Sequence, residues 1–121
     1  MARKVDTRFR RGDVLLIDLG QEGKGSEQKG KRPCVVISNN RGNGFSPVLT
    51  VLSVTSQQKA VIPTHVEIEK SKENGLTYDK SLVLAEQVRT VSKERIIRKL
   101  GSLSEEDMSK VNDAIMVSLF N

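Results

Sequence analysis

The chain has 121 residues, of which 36% are hydrophobic and 29% are charged, and its formal net charge at pH 7 is +5. This length is enough for one domain with a single core, and this composition excludes an intrinsically disordered chain. No apolar run approaches the roughly eighteen residues that a membrane-spanning helix needs, so no membrane association is expected.

The cysteine content and the N-terminal segment bear on location. Cys34 is the only cysteine, so an internal disulfide is impossible and a reducing compartment is expected. Residues 1–11 are basic but lack the apolar core of a secretion signal. We therefore expect a cytoplasmic protein.

The positive charge is concentrated in the N-terminal half of the chain. Residues 1–60 contain 11 Lys and Arg against 5 Asp and Glu, a balance of +6, whereas residues 61–121 contain 9 against 10, a balance of −1. Such a field attracts polyanions, so a nucleic acid is a candidate partner, although basic surfaces also serve solubility. With only four aromatic residues, any nucleic-acid contact should rely mainly on phosphate, polar groups and backbone.

Short apolar runs rich in β-branched residues, separated by glycine-rich or charged turns, predict a mainly β protein. In chain order, strands are predicted over residues 13–19, 33–38, 48–55, 64–69, 81–85 and 95–100. Residues 39–44 (NNRGNG) are predicted to form a turn, and a helical turn is expected near Ser92. Gly101 is predicted to end the last strand.

The C-terminal segment has the pattern of an amphipathic helix. Ser104 precedes three acidic residues, as expected for an N-cap followed by a first turn that favours negative charge. The apolar residues then recur at helical spacing, at Met108, Val111, Ile115 and Leu119. The predicted fold class is therefore mainly β plus a C-terminal helix, with a small twisted sheet curled into a barrel.

We predict one domain over residues 11–121, preceded by a basic arm over residues 1–10 that is either disordered or adds phosphate contacts. The sequence offers little for metal chemistry, because His65 and Cys34 are its only good nitrogen and sulfur ligands. His65 lies within a predicted strand, and Cys34 is at a position that suits a small core residue. We therefore expect structural roles for both, and neither a metal nor a cofactor.

The loop over residues 25–32 (GSEQKGKR) is the first candidate site. Arg32 stands at the start of a strand, fixed by the proline that follows it, and its charge is permanent at neutral pH. Such a residue suits a phosphate oxygen or the extra charge of a phosphorane. Ser26, Glu27 and Gln28 add a hydroxyl, a carboxylate and an amide. A solvated turn without function is the alternative.

A second polar cluster, Ser53, Thr55 and Ser56, lies where the third strand is predicted to end. If the second and third strands are neighbours, Thr55 and Arg32 lie near each other. Threonine is common in strands, so Thr55 alone has little significance.

Four motifs resemble those of the MazF/PemK family, the toxin subunits of bacterial toxin–antitoxin modules. They occur in matching order and spacing, from about residue 10 to residue 119. In this sequence they are RGDV at 11–14, GSEQ at 25–28 with Arg32 and Pro33, THVE at 64–67, and LAEQVRT at 84–90.

The resemblance implies a homodimer of small SH3-like barrels that cleaves single-stranded RNA, chiefly messenger RNA, at short sequences. It implies cleavage without a metal, by attack of the 2′-hydroxyl of the RNA, which leaves a 2′,3′-cyclic phosphate and a 5′-hydroxyl. The implied partner is a MazE-like antitoxin with an acidic, partly disordered tail that orders on the positive groove.

Matched by position, Arg32 corresponds to the catalytic arginine of the family and Thr55 to its catalytic threonine. The resemblance thus assigns phosphorane stabilisation to Arg32 and a hydrogen bond to the scissile phosphate to Thr55. Arginine is a poor base at pH 7, so Glu27 is our candidate general base. The residues expected to contact substrate are Ser26, Gln28, Lys31, Ser53 and Gln87.

The first strand and first loop depart from the family pattern. Leu15 and Leu16 stand where many relatives have an aromatic residue, and residues 20–24 (GQEGK) lack a proline common before GSE. Two other functions are open: a CcdB-type toxin that inhibits DNA gyrase through the same barrel, and an RNA-binding module that does not cleave.

Overall fold

Six antiparallel strands form one sheet in the order β4-β5-β3-β2-β1-β6, and a helix of 16 residues follows them. The computed structural model describes residues 4–25, 27–56 and 62–120. The elements are β1 (Asp13–Asp18), β2 (Lys31–Val36), α1 (Asn40–Phe45), β3 (Val48–Thr55), β4 (His65–Glu69), β5 (Lys80–Ser92), a 3-10 turn (Lys93–Arg95), β6 (Ile96–Ser102) and α2 (Glu105–Phe120). The predicted fold class is confirmed.

Alternating side chains give the sheet an apolar cluster on each face. Val35 belongs to the first cluster, which α2 covers through Val111 and Ala114. Its strand neighbours Cys34 and Val36 point the other way, into a second cluster. In β3, Leu52 belongs to the first cluster and Val51 to the second. Because successive side chains of a strand alternate between faces, these assignments also determine the face of each remaining residue of β2 and β3.

Helix α2 begins where it was predicted to begin, but fewer of its predicted apolar residues are buried. The Ser104 hydroxyl accepts a hydrogen bond from the Asp107 backbone N–H at 3.0 Å, so Ser104 is the N-cap. Val111 is fully buried, but Leu119 is 55% exposed, so the last predicted position of the stripe does not contact this core. Among the residues that the structure describes, no helix is both long and apolar enough to cross a membrane.

The turn prediction for residues 39–44 was wrong, because α1 occupies most of that segment. The Asn39 side chain accepts a hydrogen bond from the Gly42 N–H at 2.8 Å, as an N-cap does. Asn43, which is fully buried, donates through Nδ2 to the Ser38 carbonyl at 2.8 Å. Turn-forming asparagines thus serve here to begin and anchor one short helix.

Strand β5 extends well beyond the predicted residues 81–85. It continues to Ser92 because residues 86–90 alternate between exposed and half-buried positions against β3. Between the pairs Leu52–Val88 and Val54–Val83, β3 advances two residues while β5 advances five, which marks a bulge. Bulges bend a strand and redirect its side chains, and this one lies beside the candidate site.

The loop over residues 70–79 joins the two edges of the sheet. The Ser102 N–H donates to the Glu73 carbonyl at 2.8 Å, so the β4–β5 loop is held against β6. Gly75, at φ +67°, and Gly101 let the two backbones meet. The prediction that Gly101 ends the last strand was wrong, because β6 runs through it to Ser102. This contact helps curl the sheet into a barrel.

The part of the N-terminal segment that is described packs along the barrel. The Asp6 N–H donates to the Gly44 carbonyl at 2.9 Å, and the Asp6 carboxylate lies 3.0 Å from Lys93 Nζ. Hydrogen bonds from Arg8, and then a hydrogen bond from Lys93 and its charge, hold the pKa of Asp6 below its usual range. Phe9 packs against the second cluster.

Candidate active site

The pairing of β2 with β3 determines where the predicted residues Arg32 and Thr55 lie relative to each other. The two strands are antiparallel neighbours with Cys34 opposite Ser53. Extended two residues beyond the Cys34–Ser53 pair, back along β2 and forward along β3, this register places Arg32 across from Thr55, and the alternation of side chains assigns both to the face that holds Cys34 and Ser53. The condition stated from the sequence, that the second and third strands are neighbours, is met.

The pKa of the Cys34 thiol reports the charges on this face. Burial raises it to about 12, and the positive charges of Arg89 and Arg32 oppose that rise, as does a hydrogen bond from Ser53. The charges of both arginines therefore reach the side chain of Cys34 at this end of the sheet. A thiol with so high a pKa is not a nucleophile at neutral pH, which agrees with the predicted structural role of Cys34.

Arg89 fastens the β1–β2 loop over the same end of the sheet. Its Nη1 donates to the Gln28 carbonyl at 2.9 Å, and its Nη2 donates to the Leu19 carbonyl at 3.4 Å. Sequence reasoning missed this residue, since its partners are backbone groups about 60 to 70 positions away. Arg89 could have been singled out by its place in the LAEQVRT motif, where strand alternation directs it toward the core face.

Two buried polar atoms in this region lack protein partners. Among the described residues, Oε1 of Gln28 has no hydrogen-bond partner, and the Ser53 hydroxyl has none apart from its weak contact with the Cys34 sulfur. Gln28 is 7% exposed and Ser53 is fully buried. A buried unsatisfied polar atom costs about 1–3 kcal/mol, so these two atoms are ready to bind a polar ligand.

Arg32 lies at the rim of this region and is half-buried. Its Nε donates to the Lys29 carbonyl at 3.1 Å, which orients the guanidinium plane. No carboxylate of the described residues lies within ion-pairing distance of it. Its charge is therefore available to an anion. Thr55 is 1% exposed and lies deeper.

The remaining predicted site residues that the structure describes differ in position and exposure. Gln87 precedes Val88, the residue paired with Leu52, so it lies at the bulge beside Ser53. Lys31 and Glu27 are exposed, and Glu27 forms no ion pair with a described cation. Ser26 lies outside the described residues.

His65 takes part in a local polar contact on β4. Its Nε2 lies 2.9 Å from Oε2 of Glu86, and its side chain is 6% exposed. Among the described residues no group of three His, Cys, Asp or Glu side chains could hold a metal ion.

The six-stranded barrel with its C-terminal helix belongs, by its sequence, to a class of small toxin proteins. The sequence model of the PemK-like, MazF-like toxins of type II toxin–antitoxin systems matches residues 10–119, and the chain belongs to this family. Over 113 residues it is 52% identical to Endoribonuclease MazF of Staphylococcus saprophyticus subsp. saprophyticus, covering 92% of this chain and 91% of that protein.

Solved structures agree with this assignment. A mycobacterial endoribonuclease in complex with its cognate antitoxin superimposes with a TM-score of 0.72 at 26% identity, over 94% of this chain and 95% of that one. MazF from Deinococcus radiodurans has the same fold, with a TM-score of 0.78 at 23% identity over 94% and 98% of the two chains. The resemblance inferred from the four motifs is confirmed.

Proposed function

We propose that this chain is a sequence-specific, metal-independent endoribonuclease that cleaves single-stranded RNA, and that it acts as the toxin of a toxin–antitoxin module. Its family and its 52% identity to a MazF endoribonuclease support the activity. The observation that supports the mechanism is the pairing of Cys34 with Ser53, whose register, continued for two residues, places Arg32 across from Thr55.

The proposed reaction is a transphosphorylation within the RNA. The 2′-oxygen forms a bond to phosphorus, the bond from phosphorus to the 5′-oxygen breaks, and the products are a 2′,3′-cyclic phosphate and a 5′-hydroxyl. One proton leaves the 2′-hydroxyl and one reaches the 5′-oxygen. The protein must align the attack and stabilise a phosphorane, tasks that hydrogen bonds and a fixed cation perform without a metal.

Each residue then has one role. Arg32 stabilises the negative phosphorane through its guanidinium, and Thr55 hydrogen-bonds the scissile phosphate. Glu27 is the candidate base for the 2′-hydroxyl proton, since its exposed carboxylate is not engaged in an ion pair with a described residue. Because Thr55 is 1% exposed, the groups that cover it must shift when RNA binds, whereas Arg32 meets the phosphate first.

The unsatisfied buried atoms support a polar substrate in this place. Oε1 of Gln28 can only accept a hydrogen bond, so its partner must be a donor such as a base amino group or a 2′-hydroxyl. The Ser53 hydroxyl can donate or accept, and Gln87 lies next to it at the bulge. Lys31 adds an exposed charge for the RNA backbone. Ser26, by its position in the GSEQ motif, completes the proposed contacts.

The partners follow from the same charge distribution. We infer a homodimer in the cytoplasm, inhibited by a MazE-like antitoxin whose acidic tail competes with RNA for the basic end of the sheet. The related mycobacterial endoribonuclease was solved with its cognate antitoxin, which supports an antitoxin partner here.

The test of this function is cleavage of a mixed RNA transcript by the purified protein in EDTA. We expect cuts at a short recurring sequence, with new 5′ ends that a kinase can label directly and 3′ ends that a ligase requiring a 3′-hydroxyl cannot join until the cyclic phosphate is opened and removed. Intact RNA after long incubation would favour the non-cleaving RNA-binding module. Inhibition of gyrase supercoiling in a parallel assay, without RNA cleavage, would favour the CcdB-type function.

A further inference from the structure

A polar recess adjoins Arg32, one member of the proposed catalytic pair, on the side of the sheet where Val54 rather than Thr55 contributes to the lining. It has a volume of about 230 Å³ and lies at the ends of β2 and β3, where the loop over residues 70–79 reaches them. Arg32 borders this recess as well as the face that holds Cys34 and Thr55. The residues that matter for its chemistry are Lys31, Arg32, Ser56, Thr77, Tyr78 and Ser81.

The recess combines an aromatic ring with hydroxyl groups. Tyr78 is the only tyrosine of the chain and is 62% exposed at the rim. Ser81 is 5% exposed, while Val54 and Leu76 contribute apolar surface to the lining. An exposed ring over a small recess with apolar and hydroxyl walls suits a flat heterocycle, because every nucleobase has a π-face and polar edges.

The loop that presents Tyr78 is held in place before any ligand arrives. The Asn74 side chain, 2% exposed, accepts from the N–H groups of Ser71 at 3.1 Å and Leu76 at 3.0 Å and donates to the Glu69 carbonyl at 2.9 Å. The Lys70 N–H also donates to the Asp79 carbonyl at 2.9 Å. A ring on such a loop loses little freedom on binding, which favours recognition.

We propose that this recess is a specificity subsite that holds one nucleobase of the RNA next to the scissile phosphate, with Tyr78 stacked on that base. The proposal rests on the proposed RNA cleavage. A strand that crosses the end of the sheet sets its phosphate at Arg32 and an adjacent base in the recess, because Arg32 borders both. Lys31 neutralises the neighbouring phosphate, and the hydroxyls of Thr77 and Ser81 read the edge of the base.

Tyrosine fluorescence reads this subsite directly, because the chain has one tyrosine and no tryptophan. The probe is a short fluorescently labelled single-stranded RNA with 2′-O-methyl groups, which cannot undergo the proposed attack. Binding is followed by the anisotropy of the label, and stacking by quenching of Tyr78 emission. We expect saturable quenching with the same midpoint as the anisotropy change, and loss of quenching when the base at one position is removed.

A pair of variants provides the functional readout. Tyr78→Ala should raise the KM for cleavage about tenfold or more and relax the preference at one position beside the cut, as expected for loss of one stacked base. Tyr78→Phe keeps the ring and should retain the wild-type preference. Both variants remove the same phenolic hydroxyl, so their difference isolates stacking from hydrogen bonding.

The outcomes distinguish failure of the proposed subsite from failure of the proposed RNA cleavage. RNA that binds by anisotropy without quenching Tyr78, or Tyr78→Ala with unchanged KM and preference, overturns the subsite and leaves RNA cleavage intact. If the wild-type protein neither binds the probe nor cuts unmodified RNA, the proposed function is wrong and the proposed subsite is wrong as well.

Discussion

Replacing Arg32 with alanine should lower the rate constant of RNA cleavage by at least about a hundredfold while the protein stays folded. Loss of one preorganised group that stabilises transition-state charge typically costs 10²- to 10³-fold. Arg32 is half-buried at the rim, and its Nε donates to the Lys29 carbonyl in the adjoining loop, so its removal opens no core cavity. The measurement is single-turnover cleavage of a labelled RNA, with circular dichroism as the test of folding.

Two control variants make the result specific to position and geometry. Arg98→Ala removes the same charge from an exposed position on β6 that pairs with Leu16 and therefore lies on the opposite sheet face, and it should cut at close to the wild-type rate. Arg32→Lys keeps a cation but loses the planar fork, so it should fall between the alanine variant and the wild type. Wild-type cleavage by Arg32→Ala would remove this residue from the mechanism.

Gly75→Ala should destabilise the fold by about 3 kcal/mol or more, because alanine is strained in the left-handed backbone conformation and because its Cβ has no room. At Gly75, φ is +67°, and an added Cβ would lie well inside van der Waals contact of the Leu100 backbone. Because that neighbour is backbone, it cannot turn aside. The midpoint of thermal unfolding should fall by about 10 °C or more.

Gly23→Ala is the matched control for this stability test. A Cβ at Gly23 would have its nearest neighbour, the Glu27 carbonyl oxygen, at 3.4 Å, and its backbone has no positive φ. Its unfolding free energy should change by less than about 1 kcal/mol. Equal stability of the two variants would show that the contact between the β4–β5 loop and β6 is dispensable for the fold.

The strands that were predicted well are those whose pattern depends on one buried face. In β3, predicted and observed bounds coincide at Val48–Thr55, because β-branched residues alternate there between turn signals. The C-terminal helix was equally accessible, since Ser104 and the acids after it define its start locally. These elements are encoded by residues close together in sequence.

Features that depend on contacts between residues distant in sequence could not be predicted from the sequence. The second half of β5 reads as polar, and it is a strand because β3 pairs with it through Val88 and Val91. Gly101 reads as a strand end, and it lies within β6 because a loop almost thirty residues earlier packs against it. Tertiary contacts overrode local propensity in both places.

The candidate site was predictable only in part, for a similar reason. The residue types could suggest Arg32 and Thr55 separately, and only the resemblance to the family joined them, since the pairing of β2 with β3 is a property of the folded sheet. Arg89 was missed because it binds backbone carbonyls, which have no sequence signature. Glu27 stays a prediction for the general base.

The central claim is that the RNA supplies its own nucleophile while a fixed guanidinium and a threonine hydroxyl hold the phosphate. The most direct test is an RNA in which a single 2′-deoxynucleotide replaces the one on the 5′ side of a mapped cut. We predict that cleavage at that bond disappears, while a neighbouring unmodified site in the same strand is still cut. Continued cleavage at the deoxy position would contradict the account, because another nucleophile would then have to attack the phosphorus.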